Sequence, residues 1–259
     1  MNDIVCRMAH DLAGLGVRKA GILLVHSSLK SLGRLPDGPE TPVQGLLETL
    51  GSEGTLLMPA LSYETVKAEN PVFDVLNTPS CVGALTEFLR KRTGTMRSVH
   101  PTHSVCGIGP GAKRLLSGHV RDVTPCGPNS PYCKLKEEAG QILFVGCGLK
   151  PNTSMHAVEE LVEPPYLYNG WVDYRIKLAD GSEAAMRVRR HGFKGWLQRY
   201  DRIEAVMAGE GISAGKVLSA DCFLLEAPVF WRKAHQTMKN APLFFVDRMV
   251  DDPAAGSPH

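Results

Sequence analysis

The sequence predicts one α/β layered domain. Helix-period segments alternate with short apolar runs through the first 162 residues, which is the pattern of strands sandwiched between helices. No internal repeat or low-complexity linker divides the chain. Its 259 residues are also enough for a single α/β domain to bury a large core.

The elements follow in order. MNDIVCRMAHDLAGLG has helical periodicity and ends in glycine, and GILLVHSSL is a short β run that breaks at Ser27 and Ser28. TPVQGLLETLGSEG is a Thr-capped helix with a glycine stop, and TLLMPAL is a second buried strand. CVGALTEFLRKRTG returns to helix and QILFVGCG to strand. Residues 153–162 then form a helix capped by Thr153 or Ser154 and stopped by Pro164 and Pro165.

Beyond that helix the pattern changes. YNGWVDYRIKLADGSEAAMRVRRH is two strands joined at Asp180-Gly181, a strong hairpin signal. FKGWLQRYDRIEAVMAGEG reads as helix, GKVLSADCFLLEA as strand, and PVFWRKAHQTMKNAP as helix behind its opening proline. The domain is expected over residues 1–250, with DDPAAGSPH at 251–259 a frayed tail.

Composition excludes several function classes. A net charge of +2, without a Lys/Arg stripe interleaved with aromatics, argues against a nucleic-acid partner. The N-terminal segment carries Asp3 and Asp11 where a signal peptide has an apolar core, and no apolar run approaches the ~20 residues that span a bilayer. The expectation is a cytoplasmic protein without a membrane partner. Its seven cysteines are odd in number and scattered, as reduced thiols packed among apolar side chains would be. No motif sets an oligomeric state.

Three stretches carry candidate chemistry. In PNTSMHAVEELVEPP, helical spacing puts His156 on one face with Glu159 and near Glu160, while Met155, Val158 and Val162 form an apolar stripe. The pair is either an acid/base site or a solvated helix face whose glutamates the helix dipole favours. In VHSSLKSLG a strand runs into a hydroxyl-rich turn whose backbone N–H groups suit an anion or an amide, with Lys30 and Arg34 adding positive charge. RSVHPTHSVCGIGPGA joins Arg97, His100, His103 and Ser104; the two histidines are of metal-ligating type, but no partner pair has zinc-finger spacing. Cys147 ahead of His156 raises a Cys-His acyl-enzyme, although nothing near it in sequence lowers a thiol pKa.

Taken in order, LLVHSSLKSLG, LLMPALSY, PVFDVLNTPSCVGALTEFLRK, MRSVHPTHSVCGIGPGA, PCGPNSPYCKL, ILFVGCGLKPNTSMHAVEE and RYDRI resemble the aminoglycoside N3-acetyltransferase family over about residues 10–245. This antibiotic N-acetyltransferase family is distinct from the GCN5-related acetyltransferases. The resemblance implies a central mixed β-sheet flanked by helices. It also implies transfer of acetyl from acetyl-CoA (acetyl-coenzyme A) to the 3-amino group of 2-deoxystreptamine aminoglycosides, by direct attack on the thioester.

In that scheme His156 is the general base and Glu159 orients its ring or holds the substrate ammonium; the reverse assignment, with a glutamate as base, stays open. Donors for the oxyanion are backbone N–H groups at residues 26–29 and the hydroxyls of Thr153 and Ser104. The resemblance places coenzyme A on His26, Ser27, Ser28, Leu29, Lys30 and Gly33, with Arg97, Pro101, Ser104 and Ser130 around it. A polycationic acceptor calls for carboxylates and aromatic faces, for which Tyr63, Glu64, Asp74, Glu160, Glu163, Asp173 and His191 are the candidates, with Tyr166, Tyr168 and Trp171 as further stacking faces. No metal is expected. YETVKAENPV is short for an acceptor-lining segment, so a different amine is the alternative acceptor. A metal-dependent hydrolase built on His100, His103, His156 and Glu159 is the alternative chemistry, and a coenzyme-binding protein without turnover the non-enzymatic one.

Overall fold

A computed structural model describes residues 3–249. The chain runs α1 (Asp3–Leu15), β1 (Ile22–Ser27), a 3-10 turn (Leu29–Leu32), α2 (Glu40–Leu50), β2 (Thr55–Pro59), β3 (Val72–Asp74), α3 (Ala84–Lys91), β4 (Met96–Arg97) and β5 (Val105–Ile108). It continues through α4 (Ala112–Leu116), α5 (Pro131–Glu137), β6 (Gln141–Val145), α6 (Ser154–Val162), β7 (Tyr168–Lys177) and β8 (Glu183–His191). Then come β9 (Trp196–Gln198), α7 (Ile203–Met207), β10 (Ile212–Val217), β11 (Ala220–Glu226), α8 (Ala227–Asn240) and β12 (Val246–Arg248).

The apolar runs of the sequence become the middle of a seven-stranded sheet of order β10-β11-β6-β1-β2-β5-β4. β6, β1 and β2 are parallel, and their outer neighbours pair antiparallel, so the sheet is mixed. The central strands read as continuous apolar runs because both of their faces are covered. Leu24, Leu57, Ile142 and Phe144 pack on the side of α4 to α8, while Leu23, Val25, Leu56, Met58, Leu143 and Val145 pack on the side of α1 to α3. The expected α/β fold with a central mixed sheet flanked by helices is the one formed.

A second sheet, β3-β7-β8, has its own small core of Phe73, Tyr174, Ile176, Met186 and Val188. The β7–β8 hairpin turns at Asp180-Gly181, as its sequence predicts. Other expectations change. Residues 193–211, read as one helix, instead form β9, a 3-10 turn (Tyr200–Arg202) and α7. The cause is non-local: β9 pairs antiparallel with β12, and Arg199 is tied to Asp247 at 2.6 Å. The 215–227 strand is a hairpin, β10–β11, whose turn is held by Asp11 Oδ2 accepting from the Leu218 N–H at 2.9 Å. Thr41 lies inside α2 instead of capping it. The short elements α4, α5, β3, β4, β5 and β12 were not separable from loop by periodicity, and the expected tail at 251–259 lies outside the described residues.

Among the described residues no helix is long and apolar enough to cross a membrane. β1 and β6 are parallel neighbours, and the chain leaves the C-terminal end of β1 for α2 on one face of the sheet and that of β6 for α6 on the other. In open α/β sheets such a divergence is where ligands bind.

Candidate active site

A cleft of about 660 Å³ opens at that divergence. Its walls come from the ends of β1 (Val25, His26, Ser27) and β2 (Pro59), the start of α3 (Gly83, Thr86), the turn after β6 (Cys147, Lys150), the segment entering α6, and the end of β8. His103, His156, His191 and Tyr200 converge on it from four separate elements.

α6 is fixed at its start by Asn152, whose Oδ1 accepts the Ser154 N–H at 3.2 Å. The expected caps are therefore replaced: Thr153 has helical φ/ψ, makes no capping hydrogen bond, and its residue lines the cleft. Every residue from Ser154 to Glu159 is buried. Met155 and Val158 pack into the core beneath the sheet, and His156 with Glu159 occupies a second buried face. The solvated-face reading of this helix is thereby overturned.

His156 Nδ1 lies 3.0 Å from Glu159 Oε2, the imidazole donating to the carboxylate. Glu159 is 0% exposed, yet three donors satisfy it: His156, the Tyr200 hydroxyl at 2.8 Å and the Tyr166 hydroxyl at 2.9 Å. Buried charge is tolerable only when hydrogen-bonded in this way. Because Nδ1 is engaged, His156 Nε2 is the nitrogen left for a ligand.

A second imidazole–carboxylate pair stands beside the first. His191 Nε2 lies 2.8 Å from Glu160 Oε1, which also accepts the Cys126 N–H at 2.8 Å, while Oε2 accepts the Thr124 hydroxyl at 2.6 Å. Burial raises the Glu160 carboxyl to about 7. Burial, then the neighbouring His156, holds His191 well below the ordinary imidazole range; burial with His191 and His156 does the same to His103. His26, stacked on Phe144 with ring centroids 4.9 Å apart, falls to about 3 through burial and His156. Around the His156–Glu159 pair the other rings are thus neutral at neutral pH.

A family model for aminoglycoside 3-N-acetyltransferase matches residues 24–239, which hold the whole cleft. The chain belongs to this family. Aminoglycoside N(3)-acetyltransferase IX of Micromonospora chalcea is 30% identical over 257 residues, covering 86% of this chain and 89% of that protein. Among solved structures, a variant of the aminoglycoside acetyltransferase AAC(3)-IVa in complex with a gentamicin superposes with a TM-score of 0.80 at 27% identity, covering 93% of this chain and 90% of that one. AAC-IIIb, binary with CoASH, gives 0.79 at 25% identity, covering 91% and 96%.

Of the ten residues the family resemblance assigned to coenzyme A, only His26 and Ser27 stand on the cleft wall. Ser28 opens the 3-10 turn with its N–H donating to the Val145 carbonyl at 2.8 Å, Leu29 and Lys30 follow in the turn, and Gly33 closes it; these four lie off the wall. The remaining four lie off the wall as well. Arg97, expected at a phosphate, is spent inside the protein: it donates to Ser104 Oγ at 2.8 Å, the Thr78 carbonyl at 2.5 Å and the Ala60 carbonyl at 2.8 Å. Ser104 in turn donates to the Ala60 carbonyl at 2.7 Å, so its hydroxyl is not a free oxyanion donor. The Pro101 carbonyl accepts the Ser62 hydroxyl, and Ser130 is the N-cap of α5, accepting the Cys133 N–H at 3.3 Å.

Of the acceptor set, Tyr63 and His191 reach the wall. Glu64 is exposed beside Tyr63 and off the wall, and Asp74 caps a turn through the N–H groups of Leu76 and Asn77. Glu163 ends α6 in a left-handed conformation and pairs with Arg189 at 2.9 Å; Asp173 is exposed, 3.8 Å from Arg187. Glu160 sits behind His191. Among the described wall residues there is no carboxylate, so the expected acidic lining is corrected to two carboxylates one layer behind the histidines. Tyr166, expected to stack on sugar, instead serves Glu159; Tyr168 is covered by Arg189 at 3.8 Å, and Trp171 lies near Arg187.

His100 is fully buried and stacked on His119 with ring centroids 4.7 Å apart, outside the group of His103, His156 and His191 whose ring nitrogens converge, so the four-residue hydrolase set is not assembled. Cys147 is on the wall, but burial pushes its thiol up to about 11, which leaves no thiolate for an acyl-enzyme. Tyr200, Phe193, Lys150, Arg190 and Gln198 are wall residues that sequence reasoning missed as site residues. Tyr200 and Lys150 left a trace, in the RYDRI and ILFVGCGLKPNTSMHAVEE segments that carried part of the family resemblance.

Proposed function

We propose that this chain transfers the acetyl group of acetyl-CoA to the 3-amino group of a 2-deoxystreptamine aminoglycoside. The observation that carries the reading is the His156–Glu159 pair, whose free Nε2 faces a cleft at the divergence of the central strands in a chain of this family. An ammonium is not a nucleophile, so the first requirement is a base. His156 Nε2 takes a proton from the amine while Glu159, held by two tyrosine hydroxyls, stabilises the imidazolium that results. That first proton passes from His156 to solvent; the neutral amine nitrogen then bonds to the thioester carbonyl carbon as His156 takes its second proton, the carbon–sulfur bond breaks, and the coenzyme leaves as its thiol with that proton from His156. Of the two hydroxyls expected as donors, Thr153 alone is on the wall and free of a capping bond, which supports it as the oxyanion donor in this reading.

The cleft fits the coenzyme's chemistry. Asn152 Nδ2 and His26 Nε2 are buried on the wall without a partner, which suits the amide groups of a pantetheine arm. The first turn of α3 and the exposed Lys150 suit its anionic end. Acetyl-CoA as cosubstrate, together with cysteines that are all free, supports a cytoplasmic location.

A second reading, transfer to an amine of lower charge, is favoured by the absence of carboxylates among the described wall residues where Lys150 and Arg190 stand. One assay separates the two: release of free coenzyme A thiol from acetyl-CoA with gentamicin-, kanamycin- and neomycin-like compounds against simple amino sugars. Rapid release with the aminoglycosides supports the first reading. Release with amino sugars alone supports the second, and hydrolysis or silence with every amine while acetyl-CoA binds would remove both.

A further inference from the structure

We propose that His103, His156 and His191 form a three-histidine site for a zinc-like divalent transition metal, and that filling it takes the free nitrogen of His156 out of catalysis. One ring nitrogen from each of the three lies within 4.8 Å of the others. The rings arrive from separate places in the fold: the loop before β5, the first turns of α6 and the end of β8. Their neighbouring centroids are 5.1 to 5.5 Å apart.

The second argument is which nitrogens remain. His156 Nδ1 is taken by Glu159, His191 Nε2 by Glu160 and His103 Nδ1 by the Thr102 hydroxyl at 2.9 Å. Each ring therefore has one nitrogen held from behind and one left over. His191 Nδ1 is buried with no partner at all, a state that buried polar atoms rarely keep without a ligand. Metal-bound histidines have this arrangement, the second nitrogen being held by a carboxylate or another fixed polar group. Two of the three outer partners here are carboxylates, which offset the charge of a dication.

Three imidazoles with an open fourth position suit zinc, whose Zn–N bonds of about 2.0–2.1 Å in tetrahedral geometry put ligand nitrogens about 3.4 Å apart. The rings need close only from 4.8 Å at most to that spacing. All three histidines line the cleft, so a metal held by them would occupy the nitrogen of His156 that the acceptor amine would otherwise meet. The inhibitory half of the proposal rests on His156 being the base; the binding half does not.

The test titrates chelator-stripped protein with Co²⁺, followed by its visible absorption, and then with competing Zn²⁺. The expected result is one tetrahedral Co²⁺ per chain, displaced by Zn²⁺, with affinity lowered at least about 10-fold in His103→Ala and in His191→Ala. Circular dichroism and acetyl-CoA binding check that each variant folds, and Glu160→Gln, which keeps all three rings, gives a smaller loss if either does not. No Co²⁺ band, a band unchanged in the folded variants, or a near-ultraviolet thiolate band would overturn the site. Acetyl transfer, read by product mass, is expected to fall at Zn²⁺ saturation. Bound Zn²⁺ with undiminished transfer would overturn the inhibitory half alone.

Discussion

The Tyr200 hydroxyl donates at 2.8 Å to Glu159 Oε2, the same oxygen that lies 3.0 Å from His156 Nδ1. The carboxylate that orients the base is itself oriented by a tyrosine 41 residues further along the chain. Tyr200→Phe removes this donor while keeping the ring that packs edge-on against His156. A hydrogen bond to a charged group contributes about 1.5–3 kcal/mol, so kcat should fall roughly 10-fold or more. Steady-state kinetics check this, with the KM for acetyl-CoA expected to stay unchanged. An unaltered kcat would mean that Tyr166 alone fixes the carboxylate.

His156→Ala removes the proposed base. Loss of a general base costs about 10²- to 10⁴-fold, and the loss should fall on kcat. Acetyl-CoA affinity by calorimetry should be retained, because the coenzyme does not need the base to bind. Full turnover in this variant would return the role of base to another group.

The pattern of what was legible follows the range of the interactions. The central strands β1, β2 and β6 could be read because burial on both faces forces an apolar run, and the β7–β8 hairpin because Asp180-Gly181 is a local turn signal. His156 and Glu159 could be read as a pair because three residues along a helix bring them together. The Glu160–His191 pair is 31 residues apart and β9 finds its partner in β12, so no local pattern reports either. Arg97 shows the opposite failure. Its residue type and its neighbours suggested an anion site, but the fold directs its guanidinium to carbonyl groups.

Arg97 supplies a prediction that separates structural from binding roles. Arg97→Ala leaves the Thr78 and Ala60 carbonyls short of a donor and removes the cation lying 4.8 Å from the Phe73 ring centroid. The Ala60 carbonyl keeps the Ser104 hydroxyl, so the Thr78 carbonyl is the one left unpaired; such a group costs about 1–3 kcal/mol, and stability should fall by about that amount in urea unfolding. Acetyl-CoA affinity of the folded variant should be unchanged. Weakened coenzyme binding at full stability would restore the phosphate role.

Glu87 sets part of the acid limit of stability. Hydrogen bonds from Arg90, helped by the Ser80 N–H and Lys91, hold its carboxyl down at about 2, against an ordinary value of 4.5. A depressed carboxylate stabilises the fold fully above the unfolded value and loses that contribution as pH falls through the folded one. Glu87→Gln should therefore be less stable than the parent at pH 7, with the gap shrinking between about pH 4.5 and pH 2. Denaturant midpoints measured across that window check it, and a gap independent of pH would assign the effect to packing.

Gly146 and Gly148 separate backbone strain from steric fit in the turn that carries Cys147. Their φ values are nearly equal, +62° and +63°, so alanine costs about 1–3 kcal/mol at either from the left-handed backbone. Only at Gly146 would the new methyl collide, 1.7 Å from Ser31 Oγ and 2.2 Å from Ser31 Cβ, where the end of β6 packs on the 3-10 turn after β1. Overpacking adds about 1–3 kcal/mol, so Gly146→Ala should be the more damaging by that margin. Because the collision would displace the turn after β6, which carries the wall residue Cys147, from the end of β1, which carries His26 and Ser27, acetyl-CoA binding should weaken with Gly146→Ala and hold with Gly148→Ala. Equal losses of stability in the two variants would show that Ser31 yields freely and that backbone conformation alone selects glycine here.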